Sequence, residues 1–265
     1  MSRRTTIMLT SFNDAQTLDR LIPNVKICTD DNTHILIVDD GPTDNTNEII
    51  QRHSCESIRH DQNMGVGAAY HSGFKHILGN ASSDFVIKID ADGQHRPDFI
   101  EKLIHHLKAE AAPVICSRFH PATEHMGTML DRVILNDLFA GHLRRVTGWK
   151  ITDARSGFFG LPIQVIEKIT PRLITKGYGV PMEVILRAWR LNPYSTHLEI
   201  PHPAIYRGHG SIRRDKQYDI ETANHKLTRF LEAFKALIAV EQDMGINAEE
   251  LIRLLNAGIP FSTEK

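Results

Sequence analysis

The sequence predicts an α/β fold built on a mostly parallel sheet with helices on both faces. Two observations predict it. Through the first half, short apolar runs alternate with stretches of helical periodicity, the order expected of β-α-β units. Most of these runs end in a polar, acidic or glycine-bearing cluster. The chain has 265 residues, 41% hydrophobic and 24% charged, which suits one large domain with a substantial core.

Taken in order, Thr5–Leu9 reads as a buried strand, and Asn13 as the cap of a helix carrying Leu18, Leu21, Ile22 and Val25. His34–Val38 is a second strand ending at Asp39-Asp40-Gly41, with a helix starting at Thr43 or Asp44. Cys55–His60 is a third strand, and a turn at 63–67 opens a helix through Phe74 and Ile77. Phe85–Ile89 is a fourth strand, Pro97 suits the first turn of the following helix, and Pro113–Ser117 is a fifth strand. The second half reads as a helix over Met126–Val146, a strand over Ser156–Leu161, a helix over Pro181–Arg190 and a strand over Thr196–Ile200. A Gly- and Arg-bearing loop follows over Tyr206–Lys216. Asp219 to about Met244 forms a long amphipathic helix and Ala248–Leu255 a short one. In open parallel sheets the ligand lies beyond the carboxyl ends of the strands. The clusters 11–14, 39–41, 90–94 and 117–118 should therefore converge on one edge.

Composition narrows the function classes. Lys+Arg number 31 and Asp+Glu 32, a net charge of −1, so general nucleic-acid binding is not expected. The three cysteines have no CxxC spacing, which suggests neither a disulfide framework nor a zinc site and fits a reducing cytoplasm. No apolar run approaches the roughly 20 residues of a membrane span, and the first ten residues do not read as a secretory signal. Fifteen histidines show no HExxH spacing.

Asp90-Ala91-Asp92 is the sharpest chemical feature. Two carboxylates one residue apart at a strand end can meet at a divalent cation, and hard Mg²⁺ or Mn²⁺ takes oxygen ligands together with substrate phosphate oxygens. Gln94 can add an oxygen and Gly93 eases the bend, whereas a solvated acidic turn is the alternative. Asp39 and Asp40 form a second acidic strand end, suited either to hydrogen bonding a base or ribose or to a turn and helix cap. Gly65 and Gly67 open a helix in the third βα unit, with Tyr70 where a dinucleotide fingerprint ends in glycine. They read as a loop near a nucleotide or as simple turn chemistry. No GxxxxGK[ST] phosphate loop is present.

The ordered set Thr10-Ser11-Phe12-Asn13-Asp14, Ile37 to Asp44, Asn63 to Ala69, Asp90 to His95 and Asp153 to Phe158 resembles family 2 glycosyltransferases of the GT-A fold. The dolichol-phosphate mannosyltransferase-like branch is the nearest, and the similarity covers roughly residues 5–215. The resemblance implies inverting transfer from a UDP- or GDP-sugar. It places Ser11, Asn13 and Asp14 beside the nucleotide, Asp39 or Asp40 on the base and ribose, and Asp90, Asp92 and Gln94 on a metal at the diphosphate. Arg118, and less directly Arg132, correspond to basic residues that hold phosphate. A hydroxyl acceptor needs a base, for which Asp153 and Glu183 stand as candidates; a phosphate acceptor does not. Asp153 can instead brace the strand at Gly157, and Glu183 can orient nearby loops. The chain departs from the branch where Phe159 and Gly160 follow Phe158 in place of an Arg, and it lacks the carboxyl-terminal membrane helices of many relatives.

The expectation is a cytoplasmic, metal-dependent transferase, in peripheral contact with the inner membrane face if its acceptor is a lipid phosphate, or acting on a soluble glycan. Residues 1–216 are expected to form the catalytic domain and 217–265 a helical extension packed on it or on the partner in a homodimer. The basic loop carrying Arg207, His209, Arg213, Arg214 and Lys216 either closes over the diphosphate, meets an anionic acceptor or membrane, or is merely solvated. A catalytically silent nucleotide-sugar-binding protein is the alternative in another class. A sugar nucleotidyltransferase is disfavoured, because no Gly-rich basic loop follows the first strand.

Overall fold

The computed structural model describes residues 3–80, 82–123, 128, 130–192, 197–203, 205, 220–247, 249 and 252. In chain order the elements are β1 (Thr5–Ser11), α1 (Ala15–Ile27), β2 (Thr33–Asp39), α2 (Thr46–Arg52), β3 (Glu56–Arg59) and α3 (Val66–Asn80). Then come β4 (Phe85–Asp90), α4 (Ile100–Glu110), β5 (Val114–Ser117), α5 (Leu130–Thr147) and β6 (Phe159–Pro162). The last are α6 (Ile163–Ile169), α7 (Val180–Leu191), β7 (Leu198–Pro201) and α8 (Ile220–Asp243).

All seven strands join one sheet in the order β3-β2-β1-β4-β6-β5-β7. Every pair is parallel except the two made by β6, which runs antiparallel to β4 and to β5. This exception serves the site. An antiparallel strand begins where its parallel neighbours end, so the segment leading into β6 (residues 153–158) arrives at the carboxyl edge.

β1 is buried along its whole length because both sheet faces are covered. Its alternation sends Met8 to one core, with Leu36, Val38, Tyr70 and Phe74, and Ile7 and Leu9 to the other, with Leu18, Ile22, Ile37 and Ile100. Ala233, Leu237 and Val240 of α8 belong to the first of these cores, while Leu227, Leu231, Phe234 and Ile238 on the same helix are exposed. The apolar positions of α8 therefore divide between a packed stripe and an open one.

Local details differ from expectation. Asn13 does not cap α1: it holds φ at +57°, and its side chain instead accepts from the Thr43 amide at 2.8 Å. α2 starts at Thr46, since Asp44 accepts from both the amide and the hydroxyl of Thr46 in a turn of its own. β6 starts at Phe159 instead of Ser156, because the Ser156 hydroxyl donates to the Cys116 carbonyl at 2.7 Å and draws the chain out of the ladder. The helix expected from Met126 is observed from Leu130; residues 124–127 and 129 lie outside the described residues, as do Thr196, the loop 206–216 with its five basic side chains, and most of 248–255.

Candidate active site

The parallel strands end side by side, and their last residues are in register. Ser11 of β1 pairs with Asp39 of β2, and Thr10 pairs with Asp90 of β4. Three of the motifs therefore meet within neighbouring strands. The loops beyond are tied together: the Asp40 amide donates to the Ser11 carbonyl at 2.9 Å, Asn13 binds Thr43, and Asp44 accepts from the Ala15 amide at 3.2 Å.

Asp39 is 1% exposed, and neither of its carboxylate oxygens has a hydrogen-bond partner among the described residues. The buried hydroxyl of Ser11 is likewise unsatisfied. Burial pushes the Asp39 carboxyl up to about 6, against the opposing charge of Arg59. Asp40, its neighbour, is fully engaged. It accepts from the Met64 and Gly65 amides at 2.9 Å each and pairs with His60 Nδ1 at 2.6 Å, while His60 Nε2 meets the Ser72 hydroxyl at 2.9 Å. The two acids are thus separated: Asp40 builds the loop around Gly65, and Asp39, at the end of β2, is left without a partner among the described residues.

Gly65 and Gly67 have a concrete reason to be glycine. Gly65 sits at φ +93°, and a Cβ at Gly67 would collide with the backbone of Thr175 and Lys176. The Gly67 amide donates to the Lys176 carbonyl at 2.8 Å.

Asp90 and Asp92 lie at the end of β4 with Asp14 close by. Burial, then the charge of Asp90, pushes Asp92 up to about 6; burial also raises Asp14 to about 6, with Asp90 and Asp44 adding to it. Burial would raise Asp90 too, but the Lys88 ammonium, His95 and a Thr10 hydroxyl bond at 3.2 Å hold it below the usual range. Lys88 is the one charge within the β4 apolar run. It is fully buried, pairs with Asp90 on the same face, and lies 4.6 Å from the Tyr70 ring centroid. The Gln94 amide donates to Asp92 at 3.0 Å, and the Asp90 amide donates to His95 Nδ1 at 3.1 Å. Burial keeps His95 neutral, with its pKa down at about 3. Its ring stacks on Phe158 at 5.2 Å, so two of the sequence motifs meet directly. Gly157 is pressed against the Asp90 carboxylate where no Cβ fits.

Among the described residues, no three His, Cys, Asp or Glu side chains form a ready metal cluster. The donor set nonetheless suits a hard cation. Two adjacent carboxylates carry surplus negative charge, and such a cation completes its shell with substrate phosphate oxygens.

Arg118 follows β5 and is held by Asp153. Its Nε donates to Oδ2 at 2.7 Å, Nη2 donates to Oδ1 at 2.9 Å, and its own amide donates to Oδ2 at 3.1 Å. Asp153 is fully buried; burial would raise its pKa, but Arg118 overrides that and holds it below the usual range. Arg132 is half-buried in the first turn of α5. One turn later Asn136 donates to the Thr152 carbonyl at 2.7 Å and accepts from the Ala154 amide at 3.1 Å, which ties α5 to the same loop.

Glu183 is brought elsewhere. It is 1% exposed on α7, accepts from the amides of Ile174 and Thr175 at 2.9 and 2.8 Å, and binds Arg187 Nε at 2.7 Å. Both base candidates already accept strong donors: Asp153 is held by Arg118, and Glu183 by Arg187 and two backbone amides. Phe159, standing where the branch has Arg, is core, 5.9 Å from Tyr70 by ring centroids.

Residues missed by sequence reasoning include Lys88, His95, Glu199 and His202. Glu199 of β7 accepts the Thr152 amide at 2.8 Å, and His202 Nε2 accepts the Arg96 amide at 3.0 Å. Lys88 was detectable as a charge inside an apolar strand and His95 by its place in the Asp90 motif; Glu199 and His202 carry no local signal.

Comparison with known proteins bears on the family and the fold. The family model described as glycosyl transferase family 2 matches residues 6–170. Polyprenol monophosphomannose synthase of Mycolicibacterium smegmatis is 27% identical over 207 residues, covering 76% of this chain and 77% of that protein. A UDP-N-acetylglucosamine–dolichyl-phosphate N-acetylglucosaminyltransferase of Methanococcus voltae is 27% identical, covering 78% and 88%. Among solved structures, glucosyl-3-phosphoglycerate synthase of Mycobacterium tuberculosis in complex with Mn²⁺, UDP and glucosyl-3-phosphoglycerate has a TM-score of 0.64 at 16% identity, covering 94% of this chain and 82% of that one. That likeness is one of fold.

Proposed function

Because the chain belongs to glycosyl transferase family 2 and is a glycosyltransferase, we propose that it moves a sugar, with inversion, from a nucleoside-diphosphate sugar to a phosphate-bearing lipid acceptor of the polyprenyl-phosphate class. The carrying observation is Asp39. A buried carboxylate with two empty oxygens at the sheet edge, beside the unsatisfied Ser11 hydroxyl, matches the N–H and O–H donors of a nucleoside.

Asp90 and Asp92, with Gln94, would hold Mg²⁺ or Mn²⁺ on the donor diphosphate. Bound there, the ion neutralises charge developing on the leaving group. Asp14 adds to the same negative field, and Lys88 from beneath keeps Asp90 ionised. Asp153 fixes the fork of Arg118, which suits a phosphate acceptor, and Arg132 in the first turn of α5 would add a second cation for it. An acceptor phosphate oxygen bonds to the sugar anomeric carbon as the bond to the diphosphate breaks. The acceptor is already anionic, which accords with two saturated base candidates. The relatives named for polyprenyl or dolichyl phosphate support the same acceptor class. Exposed Leu130, Ile134 and Leu138 on α5 suit a lipid-linked substrate met at a membrane surface.

The test is thermal shift and transfer with UDP- and GDP-sugars, with and without Mn²⁺, supplying polyprenyl phosphate in detergent. Metal-dependent stabilisation and a new glycolipid are expected, and Asp92→Ala should abolish both. Donor binding without transfer to any acceptor would favour a silent binding protein.

A further inference from the structure

We infer that Glu183, Arg187 and Asp243 position the wall of the donor-nucleotide pocket, linking it to the far end of the C-terminal helix α8. The inference rests on the donor reading given above. Arg187 stands one helical turn after Glu183 on α7 and is almost fully buried. Its Nε donates to Glu183 Oε1 at 2.7 Å, and its Nη2 donates to Asp243 Oδ2 at 2.8 Å, at the last residue of α8. Glu183 Oε1 also accepts the Ile174 amide, and Oε2 accepts the Thr175 amide. The carboxylate thus grips a strap of backbone between Leu173 and Lys176.

The other side of that strap forms part of the site. The Lys176 carbonyl accepts the Gly67 amide at 2.8 Å, one of the first-turn donors of α3 that no helical carbonyl can satisfy. Gly65 also lies against the Lys176 carbonyl, so tightly that a Cβ has no room. The amides of Met64 and Gly65 then bind Asp40, the neighbour of the unpartnered Asp39. Hydrogen bonds joined by short stretches of chain therefore lead from Asp243 through Arg187 and Glu183 to Thr175, from Lys176 to Gly67, and from Gly65 to Asp40, the neighbour of Asp39. Arg187 and Glu183 form a buried ion pair extended to the half-exposed Asp243, and a buried pair is a poor device for stability alone, since apolar packing does as well. What it does supply is a fixed position for two backbone amides. The residues act through the strap: they are positioning residues, and their effect falls on donor binding.

The test uses the full chain, with UDP and GDP in the presence of Mn²⁺ as probes, in titration calorimetry. Glu183→Gln replaces one acceptor oxygen with an NH₂ group that cannot receive a strap amide. It should raise Kd about tenfold or more, leave kcat at saturating donor within about threefold, and speed hydrogen exchange at Thr175 and Gly67. Asp243→Asn, at a half-exposed carboxylate, should raise Kd less, about threefold, and serves as the deciding variant where Glu183→Gln fails to fold. Wild-type nucleotide affinity in both variants overturns the inference. So does a lowered kcat at unchanged Kd with loss of the acidic limb of the pH–rate profile, which would make Glu183 the base. Asp39→Asn separates the two readings. If it leaves nucleotide binding intact, or if the unaltered chain binds neither UDP nor GDP, the donor reading fails and the inference with it. If Asp39→Asn abolishes binding while the Glu183 and Asp243 variants bind normally, the positioning inference alone fails.

Discussion

Asp39 and Asp153 lie at the same edge of one sheet and are equally hidden from solvent, yet their surroundings are opposite. Asp153 accepts four hydrogen bonds, two of them from a guanidinium, and its pKa is held below the usual range although burial alone would raise it. Asp39 accepts none among the described residues, and burial drives it up to about 6. The fold itself supplies the partners of Asp153, whereas it leaves both oxygens of Asp39 open to a donor, as the proposed nucleoside contact requires. The same distinction separates Asp40, which builds a loop, from Asp39 beside it.

The comparison is most sharply broken at Asp153. Asp153→Asn should cost about 3–5 kcal/mol, because it leaves the Arg118 charge buried without its counter-ion; the urea midpoint at pH 7 measures this. A folded-state pKa held below the unfolded value contributes stability that is present above about 4. That contribution is lost as pH falls through the folded value, so the wild-type advantage over Asp153→Asn should shrink in acid. An unchanged midpoint at pH 7 would remove the ion pair from the scaffold.

Asp39→Asn should show the reverse pattern: a midpoint at pH 7 equal to or above wild type, and nucleotide affinity weaker by about 10–100-fold, the worth of a hydrogen bond to a charged group. The sign of the pH dependence follows from the raised pKa. A proton on Asp39 favours the fold, and that contribution disappears as pH rises through about 6. An N–H donor prefers the carboxylate, so nucleotide affinity should rise through the same range. Calorimetry at pH 5 and pH 7 should show this limb in wild type and a smaller one in Asp39→Asn.

The smallest effect is expected at Ser11. Ser11→Ala removes a buried hydroxyl that has no partner. Stability should therefore hold, while nucleotide binding loses about 0.5–1.5 kcal/mol, the net worth of a neutral hydrogen bond. A stability loss with unchanged binding would mean that the hydroxyl serves the fold.

Much of this was legible before any coordinates. The β-branched runs, the helical periodicities and the polar strand ends led directly to a mostly parallel sheet with its motifs on one edge, and Asp90-Ala91-Asp92 stood out by spacing alone. The direction of β6 was not legible, since four residues of Phe159–Pro162 carry no sign of which neighbour they will oppose. Nor were the loop partners of Glu183, the amides of Ile174 and Thr175, or the Asp243 partner of Arg187 on another helix, since no local pattern encodes those contacts.

The sequence by itself determined the residue types and their order: acids at the strand ends, glycines where backbones must approach, and apolar periods that set strand and helix. These are short-range properties, written in the spacing of neighbours. Only the tertiary structure decided which buried acids are paired and which are left empty. That depends on a donor such as Arg118, 35 residues from Asp153, arriving in the same place. Charge is a property of the residue, but satisfaction is a property of the packing, and in this chain the packing leaves Asp39 without a partner among the described residues while it pairs Asp40, Asp153 and Glu183.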